Sequence, residues 1–308
     1  MKIAIVIPTA REANIKTFLE SWDFPDYCSI YVIEDNSVKQ FDLPQVHFHG
    51  SWQEANSWIF SKKCGGGMRS FGFYKAWLDG NDYIISLDDD CLPYIDGESF
   101  VKEHIKQLEI DNGKWLWTTE EIRARGIPYM NTGKGRETMI NMGFWKLNAD
   151  FDAPTQLVYG AREVPPKILS PIPQGYYAPL CGMNLSFKRD AVGMMFQPLM
   201  GEEYGIWRLD DIWCGIIAKK ICDHLEYNIR AGNPSIIHSR ASNVWTNLKR
   251  ESLGFEANET FWQMIDEIHL SGKTINECYL EIADILNSTN EKYFRTLGNA
   301  MKIWIELF

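Results

Sequence analysis

Three consecutive carboxylates, Asp88, Asp89 and Asp90, close a short apolar run from Tyr83 to Leu87. Adjacent carboxylates repel one another and resist burial as ions, so this run needs a positive partner. Mg²⁺ or Mn²⁺ chooses carboxylate oxygen and suits an Asp-x-Asp pair holding a diphosphate. The plainer reading is a solvated acidic turn, but the strand-like run directly before it favours the metal. Open α/β sheets bind ligands at the carboxyl ends of their strands, where these acids would stand. A second cluster, Arg208-Leu209-Asp210-Asp211, opens an amphipathic stretch. Acids are favoured at a helix start by capping and by the helix dipole, and Asp210 is the better placed to open the helix. Capping needs one carboxylate and leaves the other to orient or deprotonate a hydroxyl; Asp211 is the first candidate and Asp210 the alternative. His238 follows the apolar Ile236-Ile237. Such a histidine is either a satisfied core residue or, beside acids, a neutral imidazole ligand.

Strands and helices must bring these groups together. Ile3–Ile7 is a continuous apolar run closed by Pro8-Thr9, as in a buried first strand. Residues 11–22 carry Ile15, Phe18, Leu19 and Trp22 on one helical stripe, and Ser29–Ile33 predicts a second strand. Strand, helix, strand makes a βαβ unit. Asp35, just past the second strand, is placed either to contact a nucleoside or to form an Asx turn. Gly65-Gly66-Gly67 leads into a helix from Met68 to Leu78. Such a run lets backbone N–H groups approach a phosphate, or is simply a flexible loop; no Walker sequence follows. Arg69 in this helix would neutralise a diphosphate or pair with a surface acid. A helix is expected over Gly97–Ile110 and strands over Ile140–Leu147, Leu180–Phe187 and Asn228–Ala231. Residues 131–136 form a polar loop with Lys134 and Arg136, of the kind that closes over an anion or is merely exposed. Beyond residue 255, two or three helices are expected, packed on the main domain or making a contact in a homo-oligomer.

The whole chain sets bounds. Its 308 residues suit one large domain or two small ones, and 45% hydrophobic content supplies a core. A net charge of −10 argues against nucleic acid or an anionic membrane as the main partner, though not against a phosphorylated small molecule bridged by a metal. Seven scattered cysteines without a Cys-x-x-Cys pair read as reduced thiols of a cytoplasmic protein. The start reads as a strand, not a signal peptide, and no run reaches the roughly 18 apolar residues of a membrane span.

Several longer segments carry a resemblance. They are Ile7-Pro8-Thr9, Arg69 to Phe73, Leu87 to Cys91, Asp152-Ala153-Pro154-Thr155-Gln156-Leu157-Val158, Cys181-Gly182-Met183-Asn184-Leu185, Asp210 to Trp213, Ile221 to Leu225 and His238 to Asn243. Together the chain resembles the reversibly glycosylated polypeptides, the non-flavin UDP-arabinopyranose mutases of glycosyltransferase family 75. The resemblance implies a GT-A-like, Rossmann-type α/β nucleotide-sugar-binding domain over residues 1–254 and a C-terminal helical extension over 255–308. It implies Mn²⁺ or Mg²⁺, no flavin, and a UDP- or GDP-linked sugar as substrate. It puts Asp88 by the ribose, Asp90 and His238 on the metal, Arg69 by the diphosphate and Asp35 by the base. Asn184 and Asp211 would contact the sugar, and Pro8, Thr9 and Asp89 complete the nucleotide-sugar set. One departure stands out. The family's glycosylated arginine follows an Arg-Gly-x-Pro-aromatic stretch. Arg125-Gly126-Ile127-Pro128-Tyr129 is present, but no arginine falls at the matching spacing, and Arg136 is displaced. A covalent glycosyl-arginine route therefore does not carry over, although Arg136 remains a catalytic candidate through loop closure. The expected activity is a pyranose–furanose mutase; the alternatives are a glycosyltransferase and a non-catalytic nucleotide-sugar-binding subunit.

Overall fold

The computed structural model describes all residues except 37, 62–65, 111–124, 127, 129–134, 165–169, 202 and 240–242. The first strand, β1 (Ile3–Thr9), is apolar along its length and buried, as a central parallel strand must be. Helix α1 (Glu12–Ser21) buries Ile15 and Phe18 and returns the chain to β2 (Cys28–Glu34), which pairs parallel to β1. A short β3 (Phe48–Ser51) adds to the edge of β2. Helix α2 (Gly67–Leu78) leads to β4 (Tyr83–Leu87), parallel to β1 on its other side.

The other half of the sheet is mixed. It contains β5 (Cys91–Pro93), β6 (Thr138–Lys146), β7 (Asn184–Lys188) and β8 (Asn228–His238), giving the order β3-β2-β1-β4-β7-β6-β8-β5. β7 runs antiparallel between β4 and β6, and β5 runs antiparallel to β8. Helices α3 (Gly97–Glu109), α4 (Ala153–Tyr159) and α5 (Asp210–His224) complete this part. The sequence reading split β8 into two strands and missed β3, β5 and α4. The split falls at a bulge, where the register with β6 jumps from Gly143↔Gly232 to Phe144↔Ser235.

This bulge positions the acidic run. Leu87 and Cys91 are four residues apart, so their Cα atoms lie within about 14 Å. Four strand spacings in a flat sheet would exceed that, at about 19 Å. The upper ends of β6 and β8 must therefore curl toward β4, and a bulge supplies the bend. It also frees carbonyls from the ladder. Asn141 Nδ2 donates to Asn233 O at 2.8 Å, and Asn184 Nδ2 donates to Pro234 O at 2.9 Å and Phe144 O at 3.1 Å. Asn184 Oδ1 lies 3.0 Å from His104 Nε2. His104 is fully buried, and burial pushes its pKa down to about 3, so the imidazole is neutral.

Asn184 is thus a correction to the sequence reading. It is fully buried and both ends of its amide are engaged, so it has nothing left for a sugar. Asn184→Ala is expected to cost about 1–3 kcal/mol for each carbonyl or imidazole left unsatisfied. Urea unfolding would measure this; unchanged stability with lost substrate affinity would restore the sugar contact.

The C-terminal part is helical: α6 (Val244–Glu267), α7 (Ile275–Ser288) and α8 (Lys292–Ile305). The boundary expected at 254 falls inside α6. These helices share the main core: Trp213 of α5 stacks on Phe261 of α6 at 3.8 Å, and the buried Trp304 donates to Gly193 O at 2.9 Å. Six of the cysteines are described and all are free thiols, five of them buried; Cys64 lies outside the described residues. No described helix is long and apolar enough to cross a membrane.

Candidate active site

After β4 the chain makes a tight turn, with Cys91 N donating to Asp88 O at 3.1 Å. Consecutive side chains on a turn point apart, so the three carboxylates find separate partners. Asp88 takes the Arg69 guanidinium. Asp89 turns inward, where Thr9 Oγ1 donates to it at 2.6 Å and Arg11 forms an ion pair with it. Burial raises the Asp89 carboxyl above its ordinary range, against the pull of Arg11 and Thr9. Asp90 faces β8: Arg11 Nη2 lies 3.2 Å from one of its oxygens and His238 Nε2 lies 3.9 Å from the other. Its backbone is pinned there, because Ser239 N and Oγ both donate to Asp90 O. Part of the countercharge that the sequence assigned to a metal therefore comes from Arg11 and Arg69. Arg11 was missed. Its position two residues past β1, at the carboxyl edge, was the available signal.

These groups border a cavity of about 440 Å³. Pro8, Thr9, Asp88, Asp89, Asp90 and His238 all line it. Met68, Asp150, Met183, Thr246, Arg208 and Arg250 also line the wall. Asp35 sits beside the end of β1, donating its N–H to Thr9 O at 2.8 Å, at the same sheet edge but outside the cavity wall. Arg69 stands behind the wall. Its guanidinium also donates to Ser86 and to Gly182 O, so it braces Asp88 against the turn before β7.

Asp210 and Asp211 lie behind that turn. The sequence reading made Asp210 the cap of α5. Leu209 is the N-cap instead, and no side chain caps the helix. Asp211 Oδ2 accepts from Gly182 N at 2.9 Å. Burial, then the neighbouring charge of Asp210, pushes the Asp211 carboxyl up to about 7. Burial also raises Asp210, opposed by Arg69. Asp211 feels Asp150, and Asp210 feels Asp88, two acids of the cavity wall. Asp210 packs on Gly66 at the start of α2. A Cβ there would come within 2.4 Å of Asp210 Oδ2 and of Gln197 Cβ, so that glycine is needed for space.

Arg136 is the second correction. It precedes β6, whose nine residues carry the chain about 30 Å to the carboxyl edge. At the opposite edge it pairs with Glu226 at 3.5 Å and Gln174 at 2.9 Å, away from the acids. Residues 129–134 of its loop lie outside the described residues. Arg136→Ala is expected to leave turnover within about twofold of wild type, as for a surface residue. A tenfold loss in steady-state rate at unchanged stability would bring this arginine back into the mechanism.

Among the described residues, no three of His, Cys, Asp and Glu gather tightly enough to enclose a metal unaided. Asp90 and His238 do form a fitting pair. His238 Nδ1 lies 3.2 Å from Asn148 O, and a carbonyl only accepts, so Nδ1 carries the proton. His238 Nε2 lies 3.9 Å from Asp90 Oδ1, so the imidazole and the carboxylate face one another. Asp90 and His238 are the residues that would hold a divalent cation, which would supply positive charge beside the acidic run.

An α/β sheet with acids and arginines around a cavity at its strand ends is a fold and site suited to a phosphorylated ligand. The chain belongs to the reversibly glycosylated polypeptide family, whose model matches residues 1–308. It is 34% identical over 335 aligned residues to "Probable UDP-arabinopyranose mutase 4" of Arabidopsis thaliana, covering 98% of this chain and 89% of that one. It is 32% identical to "UDP-arabinopyranose mutase 2" of the same plant, covering 99% and 91%. Among solved structures it is similar to M. tuberculosis glucosyl-3-phosphoglycerate synthase, with 15% identity, a TM-score of 0.49, and 88% and 83% of the two chains covered. S. aureus TarS 1-349 gives 10% identity and a TM-score of 0.47, covering 100% and 89%.

Proposed function

We propose that this protein is a flavin-independent, Mn²⁺- or Mg²⁺-dependent nucleotide-sugar pyranose–furanose mutase acting on a UDP-linked arabinose. Full-length similarity to proteins named UDP-arabinopyranose mutase supports the enzyme class. The observation that carries the metal reading is the Asp90–His238 pair, a carboxylate and an imidazole 3.9 Å apart in the wall of a cavity of about 440 Å³.

On this reading Asp90 and His238 hold the metal, and Asp88 and Asp35 face the nucleoside end. The bound metal would supply positive charge against the diphosphate oxygens. The C1–O bond breaks with its electron pair leaving on the diphosphate. O4 adds to C1 and gives a bicyclic acetal, the C1–O5 bond then breaks with its electron pair on O5, and the diphosphate returns to C1. Asp211, behind the Gly182 turn rather than in the cavity wall, is the group assigned to take the proton from O4, and the released O5 regains one. No atom changes oxidation state, so the chemistry requires no external oxidant or reductant. Arg69 holds Asp88 and the Gly182 turn in register with this work.

A panel of UDP- and GDP-linked sugars, each incubated with the protein and Mn²⁺ without acceptor, tests the substrate. Isomerisation of UDP-arabinopyranose is expected. Turnover of hexose-linked or GDP-linked sugars alone would contradict the assignment.

A further inference from the structure

One arginine of the cavity wall has no acid paired with it among the described residues. Arg250 of α6 has no carboxylate or hydrogen-bond partner among the described residues. Its guanidinium lies over the Trp207 ring, 5.4 Å from the centroid, which holds the group flat without neutralising it. Arg208 shares the same wall. Its backbone is left-handed, with φ +64°, a conformation that costs a non-glycine residue energy and gathers at ligand sites. Glu251 stabilises it by accepting from Nε at 2.9 Å, while its other oxygen takes Ala153 N. Among the described residues only Nε is used, which leaves both terminal nitrogens of Arg208 to donate. Across the cavity, Arg11 is already engaged by Asp89 and Asp90.

We infer that Arg208 and Arg250 form a clamp for the substrate's diphosphate, with Glu251 as the residue that positions Arg208. Planar guanidinium groups bind phosphate oxygens through paired N–H donors, which a lysine cannot reproduce. The inference deepens the proposed function, and it assigns the anion-binding work to residues outside the acidic run.

Calorimetric titration of the purified chain with UDP, with uridine and with inorganic pyrophosphate tests it. Arg250 is exposed, so Arg250→Ala is the variant least able to disturb folding; Arg208→Ala and Arg250→Lys accompany it. Each alanine variant is expected to weaken UDP and pyrophosphate at least tenfold while uridine binds as before. Arg250→Lys should recover only part of the loss, and the salt dependence of UDP binding should flatten in the alanine variants. Unchanged UDP affinity in folded Arg250→Ala and Arg208→Ala would overturn the clamp, as would equal losses for UDP and uridine. A wild-type chain that binds pyrophosphate through these arginines but isomerises no sugar would keep the clamp and remove the mutase reading.

Discussion

Asp211→Asn is expected to lose at least about a hundredfold in turnover, the usual scale for removing a positioned acid–base group. Asparagine is isosteric and its oxygen still accepts from Gly182 N, so the tie between α5 and the turn before β7 survives. A capping role cannot account for a loss, because Leu209 is the N-cap. The pH dependence separates chemistry from scaffolding. A base must be ionised, and burial together with Asp210 pushes Asp211 up to about 7, so turnover should rise as pH passes through neutrality. Asp210→Asn removes one cause of that shift, and the rising limb should move to lower pH. The sign for stability runs the other way. A carboxyl raised in the fold favours the native state below its unfolded pKa and loses that contribution as pH climbs through the folded value. At pH 8 the ionised Asp211 is therefore a liability, and Asp211→Asn should melt no lower than wild type. Near-normal turnover in both asparagine variants would leave the pair as structural acids.

Asp90→Asn is expected to abolish metal binding and nearly all turnover. Chelator should do the same to the wild type, with Mn²⁺ or Mg²⁺ restoring the rate. Asp90 sits at a strand end and its backbone oxygen, not its carboxylate, makes the bonds to Ser239, so the variant should fold. His238→Ala should weaken the metal without removing it, since one ligand and the diphosphate would remain. Mn²⁺ binding followed by electron paramagnetic resonance, read beside the rate, checks both. Full activity in excess chelator would remove the metal from the mechanism and leave Arg11 as the countercharge of the acidic run.

The sequence made β1, β2 and β4 legible because these strands are unbroken apolar runs ending near Thr9, Glu34 and Asp88. It also brought Asp90 and His238 into one hypothesis although 148 residues separate them. It failed where tertiary contacts decide. The three-residue β5 has no periodicity of its own, and the bulge at Asn233-Pro234 looks like a strand end. Asn184 looked like a sugar ligand because its polar amide stands at a strand start; it serves carbonyls that the bulge releases. Arg136 looked like a lid residue, but the direction of β6 puts it at the wrong edge of the sheet. Arg11, Arg208 and Arg250 come from three separated segments, and the fold gathers them around one cavity.

Proton NMR of UDP-arabinopyranose incubated with the purified protein and Mn²⁺, with neither acceptor nor flavin, tests the mutase most directly. Furanose anomeric signals should grow to a fixed ratio with the pyranose, and a run started from UDP-arabinofuranose should reach the same ratio. An unchanged spectrum, or release of UDP that requires an added acceptor, would contradict the mutase and indicate transfer or binding instead.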